Sequence, residues 1–263
     1  MGYQLTDFGA GTMSEIDLTA QEYLTIKKAR DGVILISEIE DKFDLFVENF
    51  ATLELTLLEA ALRNSLFRDD DHASMMHTRQ LFNRQLVNLL SAAYLYTEQL
   101  KVDAAKGFGR DFLNRLNEKV QAQRSEHLAF RFIEALRHHA QHRSLPVVGV
   151  RVNHHAERNT PKFHLRVSAE ALIDIKELSA DKKFDKTISS DLAQRSDHED
   201  DFDIMPFVRE YMQATAIVHD WLRGETRDEL DCWKRTIHEA IERVTVISTP
   251  DAIVAMVSRS DGT

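Results

Sequence analysis

Arg137, His138, His139 and His142 stand together in the run Arg137-His138-His139-Ala140-Gln141-His142. Imidazole exchanges protons near neutral pH, and a guanidinium offers a planar fork of donors to phosphate or carboxylate. Side by side at a helix end they form a titratable, cationic cluster that chemistry can use. Two plainer readings use the same residues. A helix C-terminus favours positive charge, so the histidines also fit as an ordinary cationic helix end. Glu134, His138 and His142 fall at i, i+4 and i+8, residue types that bind zinc or iron. One helix supplies two ligands at that spacing, but the i+8 residue lies about 12 Å along the axis from the first. A further ligand would come from elsewhere, with His77, Asp71 or Glu54 as the candidates, and no ExxH pair recurs on two helices as in di-iron bundles. The run from His198 to Asp203 is oxygen-rich but sits in a polar stretch, where charge is ordinarily solvated.

The element carrying these side chains is EHLAFRFIEALRHHAQHRSLP, Glu126 to Pro146. Leu128, Phe132, Ile133 and Leu136 give it an apolar stripe at helical spacing, Ser144 offers a polar exit, and Pro146 cannot continue it. Upstream, Thr19 to Glu22 has capping-box spacing and predicts a short helix to about Arg30, interrupted at Asp31-Gly32. Val33 to Ile36 reads as a short strand or a continuing helix. A second capping box, Ser37 to Glu40, predicts a long core helix ending near Phe67, before a solvated turn at 69–72. Further long helices are expected from about Ser74 to Lys101 and from about Asp111 to Arg143. Gly107 and Gly109 mark the connection, and a break is expected near Ser125.

After Pro146 the period changes from 3.6 to 2. Val148, Val150 and Val152, then Phe163, Leu165 and Val167, alternate with polar residues around a turn-like cluster at 157–161, which predicts a β-hairpin over about 147–168. Residues 176–203 are polar and are expected to be a mobile loop. Helices at 205–223 and 226–246, divided by Gly224, predict a C-terminal helical hairpin. Residues 1–17 read as a loose polar lead-in, and 252–257 as a short apolar tail, strand or docked segment. The expectation is a mainly α fold, a helical bundle with an inserted hairpin, forming a single domain over 1–263.

Composition narrows the function classes. The 263 residues carry a formal charge of −10, which argues against indiscriminate coating of nucleic acid. The single cysteine, Cys232, excludes an internal disulfide and fits a reducing compartment. No apolar run approaches the ~20 residues that span a bilayer, and the N-terminal stretch lacks the pattern of a signal peptide, so a cytoplasmic protein with no membrane partner is expected. There is no Gly-rich phosphate loop and no nucleophile elbow, and no cofactor is implied. Locally the charge reverses. From Arg131 to Arg166 the chain holds Arg131, Arg137, Arg143, Arg151, Arg158, Lys162 and Arg166 against only Glu134 and Glu157. This is either a phosphate-contacting surface or an ordinary basic one, and Arg131, Arg143, Arg151 and Arg158 are the candidate substrate-binding residues.

Arg137 to His142 resembles the R-(N/D/H)-x-x-x-H signature of the HEPN superfamily, helical nuclease and nucleotide-binding domains of prokaryotic toxins and defence systems. His138 is of the type permitted after the arginine, and the motif rides on a long helix preceded by two others. The resemblance covers roughly 37–146. It implies metal-independent endoribonuclease activity, in which the RNA 2′-hydroxyl attacks the adjacent phosphorus and leaves a cyclic phosphate. It further implies His142 as proton shuttle, Arg137 as stabiliser of the phosphorane oxygens and His138 as the residue orienting the pair. A homodimer and a restraining antitoxin or defence-system partner are implied as well. The alternative is a non-catalytic helical binding or regulatory protein.

Overall fold

The computed structural model describes residues 2–7, 14–67, 71–157, 164–181, 184, 186–195, 201–245 and 255–260. In chain order they form strands β1 (Gly2–Asp7) and β2 (Ser14–Leu18), then helices α1 (Ala20–Phe67), α2 (His72–Glu126) and α3 (Leu128–His142). Strands β3 (Val147–Glu157) and β4 (His164–Asp174) follow, then short helices α4 (Ile175–Ser179) and α5 (Lys186–Arg195), strand β5 (Asp201–Asp203), helix α6 (Met205–Thr245) and strand β6 (Ala255–Ser260). The fold is mainly α, as the periodicity predicts. No helix among the described residues is long and apolar enough to cross a membrane. The chain groups into two compact units: a terminal one from Met1–Asp41 and Trp221–Thr263, and a central one, Lys42–Asp220.

In the terminal unit β1 lies between β2 and β6 in an antiparallel sheet. The loose lead-in expected over 1–17 therefore contains two paired strands. Their signal is weak because β1 offers only Tyr3 and Leu5 as large apolar residues. Leu5, Leu18, Ile26, Ala240 and Val244 form the core, with Tyr3 stacked on Tyr23 at 4.3 Å between ring centroids. The first capping box is present. The Thr19 N–H donates to Glu22 Oε2 at 2.8 Å, and the Glu22 N–H donates to Thr19 Oγ1 at 3.2 Å. These bonds from Thr19, with Arg243 beside them, hold the Glu22 carboxyl below its ordinary range.

Neither the break at Asp31-Gly32 nor the second capping box is used, since α1 runs unbroken for 48 residues. A Cβ at Gly32 would sit 2.5 Å from the Trp233 ring, so the glycine permits close approach instead of ending the helix. Glu40 pairs with Arg223 rather than capping a new helix. The C-terminal helical hairpin is likewise replaced by one helix of 41 residues, α6. Gly224 costs about 1 kcal/mol of propensity, and burial of Leu222 and Thr226 on either side outweighs it.

In the central unit, α2 opens on Asp71, whose carboxylate accepts the Ala73 and Ser74 N–H groups at 2.9 and 3.1 Å. The helical path breaks at Gly109 (φ 81°, ψ −174°), where the glycines predict a connection, and again at His127 (φ −111°, ψ 111°), close to the break expected near Ser125. Phe132 of α3 is fully buried, edge-on to Phe184, Phe202 and Phe207. The hairpin reaches Asp174, beyond its expected end at 168, and β5 adds a third strand in the order β3-β4-β5. Its root is tied to α2 by Asn83, whose amide accepts the Val147 N–H at 3.0 Å and donates to the Val147 carbonyl at 2.8 Å. The stretch 176–203, read as a mobile loop, holds α4, α5 and β5 among its described residues. Its large apolar side chains, Leu178, Phe184, Ile188, Leu192 and Phe202, are all buried.

Candidate active site

Helix α3 carries the motif, and its faces sort the motif's side chains. The stripe Phe132, Leu136 and His139 is buried, which fixes the rotation of the whole helix. At 3.6 residues per turn, Arg131, His138 and His142 fall on one stripe, whereas Arg137 lies about 140° round the axis from His142. The His138 and His142 rings accordingly meet, with centroids 4.5 Å apart and planes inclined by 47°. His142 is exposed and His138 half-buried. Arg131 is half-buried too, its Nε buried without a hydrogen-bond partner among the described residues.

Arg137 turns toward α2. Its Cζ lies 3.3 Å from the centroid of the Tyr94 ring, a cation–π contact. Its Nε is also buried without a hydrogen-bond partner among the described residues. Beside it is a cavity of about 170 Å³, lined by Thr97, Glu98, Lys101, Glu134 and Tyr211 among others. Burial raises the Glu134 carboxyl above its ordinary range, with Arg124, 3.0 Å away, acting against that shift. Burial likewise raises the Tyr211 phenol. The structure thus brings His138, His142 and Arg131 onto one face and places Arg137 on another.

The remaining candidate arginines are dispersed. Arg143 caps α3, its N–H bonded to the His139 carbonyl at 2.8 Å. Arg151 lies opposite Glu170 in the sheet, with its guanidinium 3.5 Å from Glu170 and 3.3 Å from Asp201. That cation is already balanced by two carboxylates. Arg158 lies outside the described residues. On the hairpin, His154 Nε2 meets Asn64 Oδ1 at 2.8 Å. Among the described residues no group of three or more His, Cys, Asp or Glu side chains converges to hold a metal ion.

Spacing gave no warning of what surrounds His139. It is 3% exposed, with Nδ1 3.2 Å from Asp181 Oδ2 and Nε2 3.0 Å from Ser144 Oγ. The Ser144 hydroxyl in turn donates to Glu177 Oε1 at 2.5 Å. Glu177 and Asp181 belong to the stretch read as a loop, far along the chain from α3, so no periodicity links them to it. Tyr94 was equally hidden, as one aromatic among many on a core helix. Compared with models of known protein families, with curated proteins and with solved structures, the chain matches none.

Proposed function

We propose that this chain is an HEPN-like, metal-independent endoribonuclease. The observation that supports the reading is the contact between the His138 and His142 rings at the open end of α3. Two adjacent imidazoles, one neutral and one protonated, supply a base and an acid together. The neutral ring takes the proton of the RNA 2′-hydroxyl, whose oxygen bonds to the adjacent phosphorus. The bond from phosphorus to the 5′-oxygen breaks, and the protonated ring delivers its proton to that oxygen. The products are a 2′,3′-cyclic phosphate and a free 5′-hydroxyl. Arg131, on the same stripe, and Arg143, at the helix end, contact phosphate oxygens.

Arg137 points away from this pair, so its part in stabilising the phosphorane belongs to a homodimer, where the guanidinium of one copy faces the imidazoles of the other. The setting that goes with this chemistry is a cytoplasmic toxin or antiviral defence effector held in check by a partner protein. A second reading, a non-catalytic binding or regulatory protein, is favoured by the placement of Arg137. Its guanidinium is already stacked on Tyr94 beside a cavity of about 170 Å³.

The test is cleavage of a mixed RNA substrate in EDTA by the intact protein and by His142→Ala. Cyclic phosphate ends produced by the first and not the second are the expected result. Equal cleavage by both, or none by either at high protein concentration, sinks the nuclease reading in favour of the binding protein.

A further inference from the structure

We propose that Ser144, His139 and Asp181 form a nucleophilic triad for small carboxylic esters, held at rest by Glu177. The geometry places a hydroxyl, an imidazole and a carboxylate in line. Ser144 Oγ is 3.0 Å from His139 Nε2, and His139 Nδ1 is 3.2 Å from Asp181 Oδ2. This is the order nucleophile, base, orienting group that acyl-transfer sites use, and such sites are recognised by geometry rather than by sequence position. His139 and Asp181 are both buried, at 3% and 5% exposure, so the pair is preorganised, whereas Ser144 is half-exposed and opens onto a cleft of about 320 Å³. That volume is at the lower end of the ~300–1,000 Å³ typical of small-molecule sites, which sets the substrate as a small acyl ester. Arg143 lines the same cleft and supplies positive charge for a carbonyl oxygen as it becomes an oxyanion.

Proton counting gives Glu177 its role. The hydroxyl of Ser144 carries one hydrogen and faces two acceptors. The bond to Glu177, at 2.5 Å, is the shorter, so the hydrogen is committed there. His139 Nε2 then donates to Ser144 Oγ and Nδ1 donates to Asp181, an arrangement that only the imidazolium fills. In this resting form Nε2 is not a base. Glu177 is exposed, and when its carboxylate swings away the Nε2 proton passes to water, the hydroxyl hydrogen turns to the now neutral Nε2, and Nδ1–H stays on Asp181. Ser144 Oγ then bonds to the ester carbonyl carbon as its proton passes to Nε2. Collapse of the tetrahedral adduct breaks the bond to the alcohol oxygen, which leaves with that proton. Water repeats the sequence on the acyl-serine, giving acid plus alcohol and restoring the hydroxyl. This site faces a different side of α3 from the His138 and His142 pair and does not depend on the nuclease reading.

The experiment treats the full chain and Glu177→Ala with a fluorophosphonate probe, locating the adduct by peptide mass spectrometry and following p-nitrophenyl acetate turnover in parallel. The expected result is an adduct on Ser144 that forms faster in Glu177→Ala, is lost in Ser144→Ala, and is slowed about 100-fold or more in Asp181→Asn. The folding of the Ser144→Ala protein is checked separately by its melting curve against that of the natural chain. No adduct on Ser144 in either the full chain or Glu177→Ala overturns the proposal. Labelling of Ser144 at an undiminished rate in Asp181→Asn overturns it as well.

Discussion

His139 and His142 are the same residue type one turn apart on α3, and the fold treats them in opposite ways. His139 turns inward, where each ring nitrogen meets an oxygen, from Asp181 on one side and Ser144 on the other. His142 turns outward and meets the ring of His138. Burial with two fixed partners makes an imidazole a structural tie. Exposure beside a second imidazole leaves it accessible from solvent. The rotation of α3, fixed by Phe132 and Leu136 in the core, decides which histidine gets which environment.

The sharpest way to break this comparison is to remove each histidine in turn. His142→Ala is expected to lower RNA cleavage by about 10²–10⁴-fold with an unchanged melting temperature. His139→Ala is expected to destabilise the fold by about 3–5 kcal/mol, because it strips the imidazole from a buried carboxylate. Its melting curve by calorimetry should shift well below that of His142→Ala. If the two variants melt alike, the distinction between inner and outer histidine fails.

Tyr94→Leu comes next. It removes the ring beneath the Arg137 guanidinium and is expected to cost about 0.5–2 kcal/mol by denaturant titration. Tyr94→Phe, which keeps the ring face, should cost much less, and equal losses would mean that packing rather than cation–π contact holds the arginine. A smaller effect separates the arginines by face. Arg131→Ala is expected to reduce the slope of log affinity against log salt for single-stranded RNA by about 0.7. Arg151→Ala should leave that slope in place, because Glu170 and Asp201 already neutralise its guanidinium.

The smallest effect is one of pH. Burial raises the Asp203 carboxyl in the folded chain, although it accepts N–H groups of Met205 and Ala171. A folded state that holds the proton more tightly gains stability below the ordinary value of 3.8 and loses it as pH rises through the folded value. Asp203→Asn keeps an acceptor oxygen without the charge. The stability of the natural protein relative to this variant should therefore decline as pH is raised from below 3.8, and a flat difference would contradict it.

Much of the helical frame was legible because its cues are local. The Thr19–Glu22 box, the apolar stripe of α3 and the breaks near Gly109 and Ser125 depend on neighbours a few residues apart. The errors share a physical cause. Gly32 and Gly224 were read as breaks from their propensities, but one lies against the Trp233 ring and the other is flanked by buried residues, and tertiary packing overrode the local preference. Sites assembled from distant segments leave no periodic trace. Ser144 looked like a helix exit, and Asp181 like one charge in a polar run. Only the fold brings both to His139. Arg137 and His142 lie close along the chain, yet the helical turn separates their side chains. Spacing identified the motif but not which of its members face each other.

The division into units has a consequence for how the chain is made. The central unit is one uninterrupted stretch, 42–220, so all of it is synthesised before β6. The terminal unit is built from both ends. Its middle strand, β1, is synthesised before the central unit, and β6, which pairs along one edge of it, is synthesised after it. Until that strand arrives, one edge of β1 and the residues that meet Ala240 and Val244 wait without their counterparts. The order of synthesis thus completes the unit bearing the candidate chemistry first and closes the other only when β6 is in place.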